Sequence, residues 1–187
     1  MQLLPQNTAL IIIDVQKGFD EPIWGRRNNL GAEENIAKLL ATWRRTGRPI
    51  FHIQHLSRQP ASPLRPNYSG SEFKPSVQPQ QGEPIIQKHV NSAFIGTDLE
   101  ARLRQSEVNS LVIVGLTTDH CVSTTTRMAG NLGFDTYVVS DATATFDRTG
   151  PDGKYYSAED IHAISLTSLH EEFATVVDTN TLLKQIE

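Results

Sequence analysis

Residues 111–133, LVIVGLTTDHCVSTTTRMAGNLG, are the stretch from which the rest of the chain is read. Leu111, Val112, Ile113 and Val114 form an apolar run that breaks at Gly115. Small and polar residues follow, and no Gly or Pro interrupts the chain from Leu116 to Ala129. That order is the pattern of a buried strand, a tight turn and a helix. Cys121, the only cysteine of the chain, falls where the turn passes into the helix. Its sulfur would face unpaired backbone N–H groups and the positive end of the helix dipole, an arrangement that favours the nucleophilic thiolate, well below the free-cysteine pKa of about 8.5. Free cysteines are commonly buried and inert. Two charged residues that end other strands, Asp14 and Lys88, set this one apart.

Outward from that stretch, the same short apolar runs recur. Residues 8–14, TALIIID, read as a strand buried on both faces, which implies a parallel sheet. The loop after it carries two aromatics, Phe19 and Trp24, which either line a pocket or cap the core. A helix is expected over 32–46, where Ile36, Leu39, Leu40 and Trp43 recur at helical spacing and Gly47 and Pro49 follow. A second strand, 49–54, leads into a Pro-, Ser-, Gln- and Gly-rich segment over 56–83. A segment of that length in a compact domain is either disordered or functional, and a substrate-covering loop is the reading adopted because it returns directly into the strand that ends at Lys88.

Beyond Lys88, Thr97 and Glu100 have the spacing of a capping box. A fifth strand, 135–140, should end at Asp141, followed by a polar loop with a Pro151-Asp152-Gly153 turn. Ser157 and Asp160 mark the start of a helix whose apolar stripe is Ile161, Ile164, Leu166, Leu169 and Phe173. Residues 174–177 give a sixth strand, and a short helix starts at Thr179. Six strands, most of them separated by helices, imply a three-layer, doubly wound (Rossmann-like) α/β fold with a mainly parallel sheet, in a single domain over residues 1–187. Ligands of such sheets bind beyond the carboxyl ends of the strands, and Asp14, Lys88 and Cys121 all lie at such ends.

These three side chains make an activated-nucleophile set whose base is not histidine. Asp14 would take the thiol proton and return it to the leaving group, Lys88 would pair with the carboxylate, and turn amides before Cys121 would stabilise an oxyanion. Against the helix terminus and Lys88, the Asp14 carboxylate disfavours a second negative charge, so thiol and carboxylate are expected to share one proton and titrate as a unit. The bulk properties narrow the partners. A formal net charge of −4 argues against a nucleic-acid or anionic-membrane surface. No apolar run approaches the length of a membrane-spanning helix. A lone cysteine cannot close an internal disulfide, and the first residues lack a basic leader, so a cytoplasmic location is expected.

Four motifs in order resemble the isochorismatase-like cysteine hydrolases, a family that includes nicotinamidases, N-carbamoylsarcosine amidase and streptothricin hydrolase. They are IIIDVQ-x-x-F (Ile11 to Phe19), KHVNSAF (Lys88 to Phe94), VGLTTDHCV (Val114 to Val122) and VVSDAT (Val138 to Thr143), and the likeness covers nearly the whole chain. The resemblance implies sheet order 3-2-1-4-5-6 and a catalytic triad of Asp14, Lys88 and Cys121. It also implies a cis peptide between Leu116 and Thr117, with the Thr117 and Cys121 amides as oxyanion hole, and an oligomer, a dimer or higher. The TTDHCVSTT stretch looks closest to the streptothricin hydrolase branch.

The cysteine favours cleavage of a small-molecule amide or lactam through a thioester; vinyl ether hydrolysis of an isochorismate-like substrate is the alternative, and a non-catalytic binding module is disfavoured by the intact triad. Phe19, Trp24, Phe94, His120 and the 56–83 loop are the candidate substrate-binding residues. Nicotinamidases hold a metal with an aspartate and histidines after the second strand. Here only His52 and His55 are present, and residues three apart on a strand point to opposite faces, so neither a metal nor another cofactor is expected.

Overall fold

The computed structural model describes residues 3–186; the terminal Met1 and Gln2 of the leader reading lie outside them. One six-stranded sheet organises the chain. Its strands are β1 (Ala9–Ile13), β2 (Ile50–His55), β3 (Ile85–Lys88), β4 (Ser110–Leu116), β5 (Asp135–Ala144) and, at the far edge, β8 (Thr175–Val177). The order is β3-β2-β1-β4-β5-β8 and all five pairings are parallel, so the expected 3-2-1-4-5-6 order holds once the strands of this sheet are counted in sequence.

Alternation along the central strands builds two cores. Ile11, Ile13, Leu111 and Ile113 face one side, where they meet the helices α2 (Leu99–Gln105), α3 (Ser123–Asn131) and α4 (Ala158–Leu169). Leu10, Ile12, Val112 and Val114 face the other, against α1 (Ala32–Thr46) and α5 (Thr179–Leu183). A strand covered on both faces must be apolar at every position, which is why β1 and β4 read as unbroken runs. Gly115 lies within β4, with φ of 118°; a Cβ there would sit 2.0 Å from the Ile13 carbonyl oxygen. Glycine at this point lets β1 close on β4 and brings the ends of the two strands side by side.

Several expectations need correction. β5 runs on to Ala144 rather than stopping before Asp141, because its register against β4 shifts between Ile113 and Gly115 and pairing resumes at Thr143. Asp141 instead accepts hydrogen bonds from the Thr179 amide and hydroxyl. The polar loop folds into a small antiparallel hairpin, β6 (Arg148–Thr149) and β7 (Tyr155–Tyr156). The Thr97–Glu100 capping box does not form: Asp98 stands at the N-cap of α2, and the Thr97 hydroxyl donates to the Ala93 carbonyl. Ser157 does cap α4, accepting from the Asp160 amide. On that helix Ile164 is exposed and Phe173 lies beyond the helix end, so the buried stripe is Ala158, Leu166 and Leu169.

The 56–83 segment is tied down along its length. Lys17 N–H donates to the Glu72 carbonyl and Lys74 N–H to the Val15 carbonyl. The buried Gln16 amide donates to the carbonyls of His55 and Ser71. Lys74 Nζ reaches Asp20 at 2.5 Å and Glu33 at 2.7 Å. Gly70 packs so closely that a Cβ there would meet the Pro63 carbonyl at 2.2 Å.

Ionisable groups held inside this frame make its stability pH-dependent. Burial lowers His52, His55 and His162 below the usual 6.5. Burial alone would raise Glu33 and Glu83, but Arg27 with Lys74, and Arg44, outweigh it and bring both carboxyls to about 2. Depressed groups stabilise the fold above their unfolded pKa and lose that contribution as pH falls through the folded value. The melting temperature should therefore be level above pH 7, fall from below about 6.5, and fall again below about 4.5. Calorimetry across pH 8 to 3 checks this; a level melting temperature between pH 7 and 5 would contradict the histidine contribution.

Candidate active site

Three strand ends carry the reacting groups. Asp14 follows β1 in a left-handed backbone conformation, φ 52°, which Asp and Asn tolerate better than most residues. Lys88 ends β3. Cys121 sits on a single π-helical turn, Thr118–Val122, between β4 and α3, and not on the first regular turn of α3. The Thr117 carbonyl closes this turn by accepting from the amides of His120 and Val122, and the Leu116–Thr117 peptide is cis.

Lys88 Nζ donates to Asp14 Oδ2 at 2.6 Å and to Cys121 Sγ at 3.3 Å, so the structure brings the three residues singled out in the sequence into contact. The Asp14 and Lys88 side chains are both inaccessible to solvent. Asp14 Oδ1 is buried without a hydrogen-bond partner. An unpaired buried acceptor beside a thiol is a vacancy for a proton.

The electrostatics reverse the expected lowering of the thiol pKa, while Asp14 opposes the thiolate as expected. Burial, and then the Asp14 carboxylate, push the Cys121 thiol far above its usual value, and Lys88 does not offset them. For Lys88, burial pulls downward, but the charges and hydrogen bonds of Asp14 and Cys121 prevail and its pKa rises. Burial and Asp14 thus favour the protonated thiol in the resting site, and the charges of Asp14 and Cys121 favour the ammonium form of Lys88.

His55 is the member that sequence reasoning missed. Its register partner across the parallel pair is Lys88, and its Nδ1 lies 3.1 Å from Lys88 Nζ. The signal was available in the strand order: β2 lies between β3 and β1, so its last residue must stand between Lys88 and Asp14. His52 points away, with Nε2 2.8 Å from Glu83 and its ring edge-on to Phe73. One donor atom each of Asp14, His55 and Cys121 lie within 4.8 Å of one another. Lys88 Nζ stands among them, and an ammonium at hydrogen-bond distance from all three donors leaves no fit for a resident metal cation.

A cavity of about 170 Å³ opens on Cys121. Phe19 and Trp24 wall it and also stack with Phe146 behind, at centroid distances of 6.2 and 5.8 Å, so both readings of these aromatics apply. Ser57, Gln59, Ser62 and Leu64 bring the 56–83 segment to the wall, with Thr117 just before the π turn and His120 on it. Phe94 does not reach the cavity: it is buried in the core, stacked on Phe134 at 6.1 Å, because KHVNSAF turns away from the sheet edge after Asn91. Asn91 and Arg148 complete the lining and were not expected. A larger groove, between the segment around Val90 to Ile95 and α3, contains none of the three reacting groups.

The isochorismatase-domain family model matches residues 8–181. The chain belongs to the isochorismatase family. The isochorismatase family protein YrdC of Bacillus subtilis (strain 168) is 53% identical over 180 residues, 96% of each chain. The crystal structure of an isochorismatase-family protein from Chromobacterium violaceum ATCC 12472 superposes with a TM-score of 0.95 at 43% identity, covering 99% of this chain and 96% of that one. Streptothricin hydrolase of Streptomyces noursei is 30% identical over 139 residues, 74% of this chain and 50% of that protein, and nicotinamidases are also among the relatives. Within the isochorismatase family, the protein is thus a hydrolase, more similar to YrdC than to the streptothricin hydrolase that its TTDHCVSTT stretch resembled. Among the described residues no helix is long and apolar enough to cross a membrane.

Proposed function

We propose that this isochorismatase-family hydrolase cleaves a C–N bond, amide or lactam, of a small molecule through a thioester on Cys121. The observation that carries the reading is the solvent-inaccessible Asp14–Lys88 pair against Cys121 Sγ at a cavity of substrate size. The substrate carbonyl oxygen settles against the Thr117 and Cys121 amides. As sulfur attacks the carbonyl carbon, the thiol proton passes to Asp14 Oδ1. The C–N bond breaks and that proton leaves with the amine. Water then attacks the thioester and gives a proton to Asp14; the C–S bond breaks, the acid departs, and the proton returns to sulfur. Lys88 stays cationic throughout and limits the cost of charge on sulfur and carboxylate.

A raised thiol pKa supports this order, because the ion pair need form only when substrate supplies an electrophile and the site is closed to water. Relatives named nicotinamidase and streptothricin hydrolase support C–N hydrolysis. The cavity, with room for about six waters at ~30 Å³ each, favours a substrate well below drug size.

Ammonia release across a panel of small amides tests the reading; hydrolysis of at least one is expected, and consumption of a vinyl ether with no amide turned over would overturn it. Turnover should be unchanged after exhaustive dialysis against a chelator. Loss that zinc or manganese restores would show a metal held where Lys88 now stands. The reading further includes a cytoplasmic protein and a homodimer, in line with the family resemblance; a monomeric mass by light scattering at micromolar concentration would remove the dimer.

A further inference from the structure

The π turn that carries Cys121 is tied on two sides. Asp119 accepts from the Thr145 hydroxyl and from Arg148 Nε, and Thr118 is tied to α4. Thr118 opens the turn and is inaccessible to solvent; its hydroxyl lies 2.8 Å from Nδ1 of His162, on α4. The His162 ring also faces the Ser140 carbonyl of β5, and its Nε2 stands 3.4 Å from Asn29 Nδ2. The two hydrogens of that Asn29 nitrogen go to the carbonyls of Ser140 and Thr143, so it has none left for the imidazole. Nε2 therefore bears the ring hydrogen and gives it to Ser140, which leaves Nδ1 to accept from the Thr118 hydroxyl. Burial lowers His162 below the usual 6.5, against the opposing pull of the Ser140 carbonyl, of Asp119 on the turn and of Glu159 on α4. The neutral ring that results is the form with a free acceptor at Nδ1. Neither His162 nor Thr118 lines the cavity.

We propose that His162 is a positioning residue: through the Thr118 hydroxyl it sets the π turn, and with it the Cys121 sulfur and the Thr117 and Cys121 amides that meet the substrate oxygen. The proposal rests on the amide-hydrolase reading of the site. Thr118 follows Thr117 directly and precedes Cys121 by three residues, so releasing its side chain shifts both amides together. Neither Thr118 nor His162 touches the reacting atoms. Their effect therefore belongs in kcat, where the alignment of sulfur and amides with the carbonyl is expressed, and not in KM.

Three substitutions separate the two hydrogen bonds of the ring. His162→Asn places a side-chain oxygen where Nδ1 stood and keeps the acceptor for Thr118. His162→Gln reaches the Nε2 position instead and keeps the donor to Ser140. Thr118→Val removes the hydroxyl at nearly equal size. With an amide that the unaltered protein hydrolyses, His162→Gln and Thr118→Val should each lower kcat about 10- to 100-fold with KM little changed, and the two together no further than either alone. His162→Asn should recover most of that loss. A readout independent of turnover is the Cys121 amide, which gives a single resonance in protein labelled with ¹⁵N-cysteine because the chain has one cysteine. That resonance should move in His162→Gln and Thr118→Val and return toward its original position in His162→Asn. A resonance that stays in place in both, or His162→Asn impaired as much as His162→Gln, would overturn the proposal. Hydrolysis of the amide at an unaltered rate by folded Thr118→Val protein would overturn it too and leave the amide-hydrolase reading standing. The stated movements of the resonance, in a protein that hydrolyses no amide, would uphold the tie between His162 and the turn and overturn the amide-hydrolase reading.

Discussion

Cys121→Ala protein should release no measurable ammonia from an amide that the unaltered protein hydrolyses, while still binding it. The sulfur is the atom to which the acyl group is transferred, and nothing within reach replaces it: Asp14 is engaged by Lys88, and His55 stands behind the same ammonium. Removing the nucleophile of a coupled catalytic unit lowers kcat by on the order of 10⁶-fold. The stability cost should be modest by comparison, since only one small atom is removed and its hydrogen bonds with Lys88 Nζ and Asn91 Oδ1 are long, 3.3 Å and 3.8 Å. Stopped assays with calorimetric binding on the same preparation separate loss of chemistry from loss of site. An alanine variant that hydrolyses the amide at a comparable rate would refute the thioester and move the reading to vinyl ether cleavage, which needs Asp14 and Lys88 but no thiol.

Asp14→Asn should lower kcat by roughly 10²- to 10⁴-fold, the usual contribution of a positioned general base. The substitution is clean in the backbone, because asparagine accepts the left-handed φ of 52° as readily as aspartate does. It is not clean in charge. The carboxylate and the Lys88 ammonium are 2.6 Å apart and both wholly buried, and breaking such a pair from one side costs about 3–5 kcal/mol. Set against the ~5–15 kcal/mol stability of an ordinary domain, the variant should fold but melt about 6–20 °C lower. Kinetics are therefore to be read well below its transition. Near-normal turnover in a folded Asp14→Asn protein would remove Asp14 as the base even if Cys121 proved essential.

What the sequence displayed follows from where physical constraint is local. Parallel strands buried on both faces must be apolar throughout, so ALIII and LVIV could be placed within a residue or two, and the helix over 32–46 was marked by its own spacing and by Gly47 at the end. The three reacting residues were visible because Asp14 and Lys88 stand at strand ends and Cys121 on the turn that follows β4. Features set by tertiary contact were not visible. β5 extends past Asp141 because of a register shift against β4, which no pattern within β5 records. Arg148 and Asp119 meet across 29 residues of sequence, and the short β6–β7 hairpin that carries Arg148 looked like loop. Phe94 resembled a pocket aromatic by its place in a motif and proved to be core. The thiol pKa of Cys121 was expected too low for a similar reason: the dipole and the turn amides are local, whereas the burial that outweighs them is a property of the folded site.

The central claim is an acyl-enzyme on Cys121, and partitioning between two nucleophiles tests it whether or not the intermediate accumulates. Two substrates sharing one acyl group, an amide and the corresponding methyl ester, are hydrolysed in the presence of hydroxylamine, and the ratio of hydroxamate to acid is measured for each. A common thioester must give the same ratio from both, at every hydroxylamine concentration, because the leaving group has departed before the partitioning step. Ratios that differ between amide and ester would mean that water attacks the substrate directly, and would contradict the account.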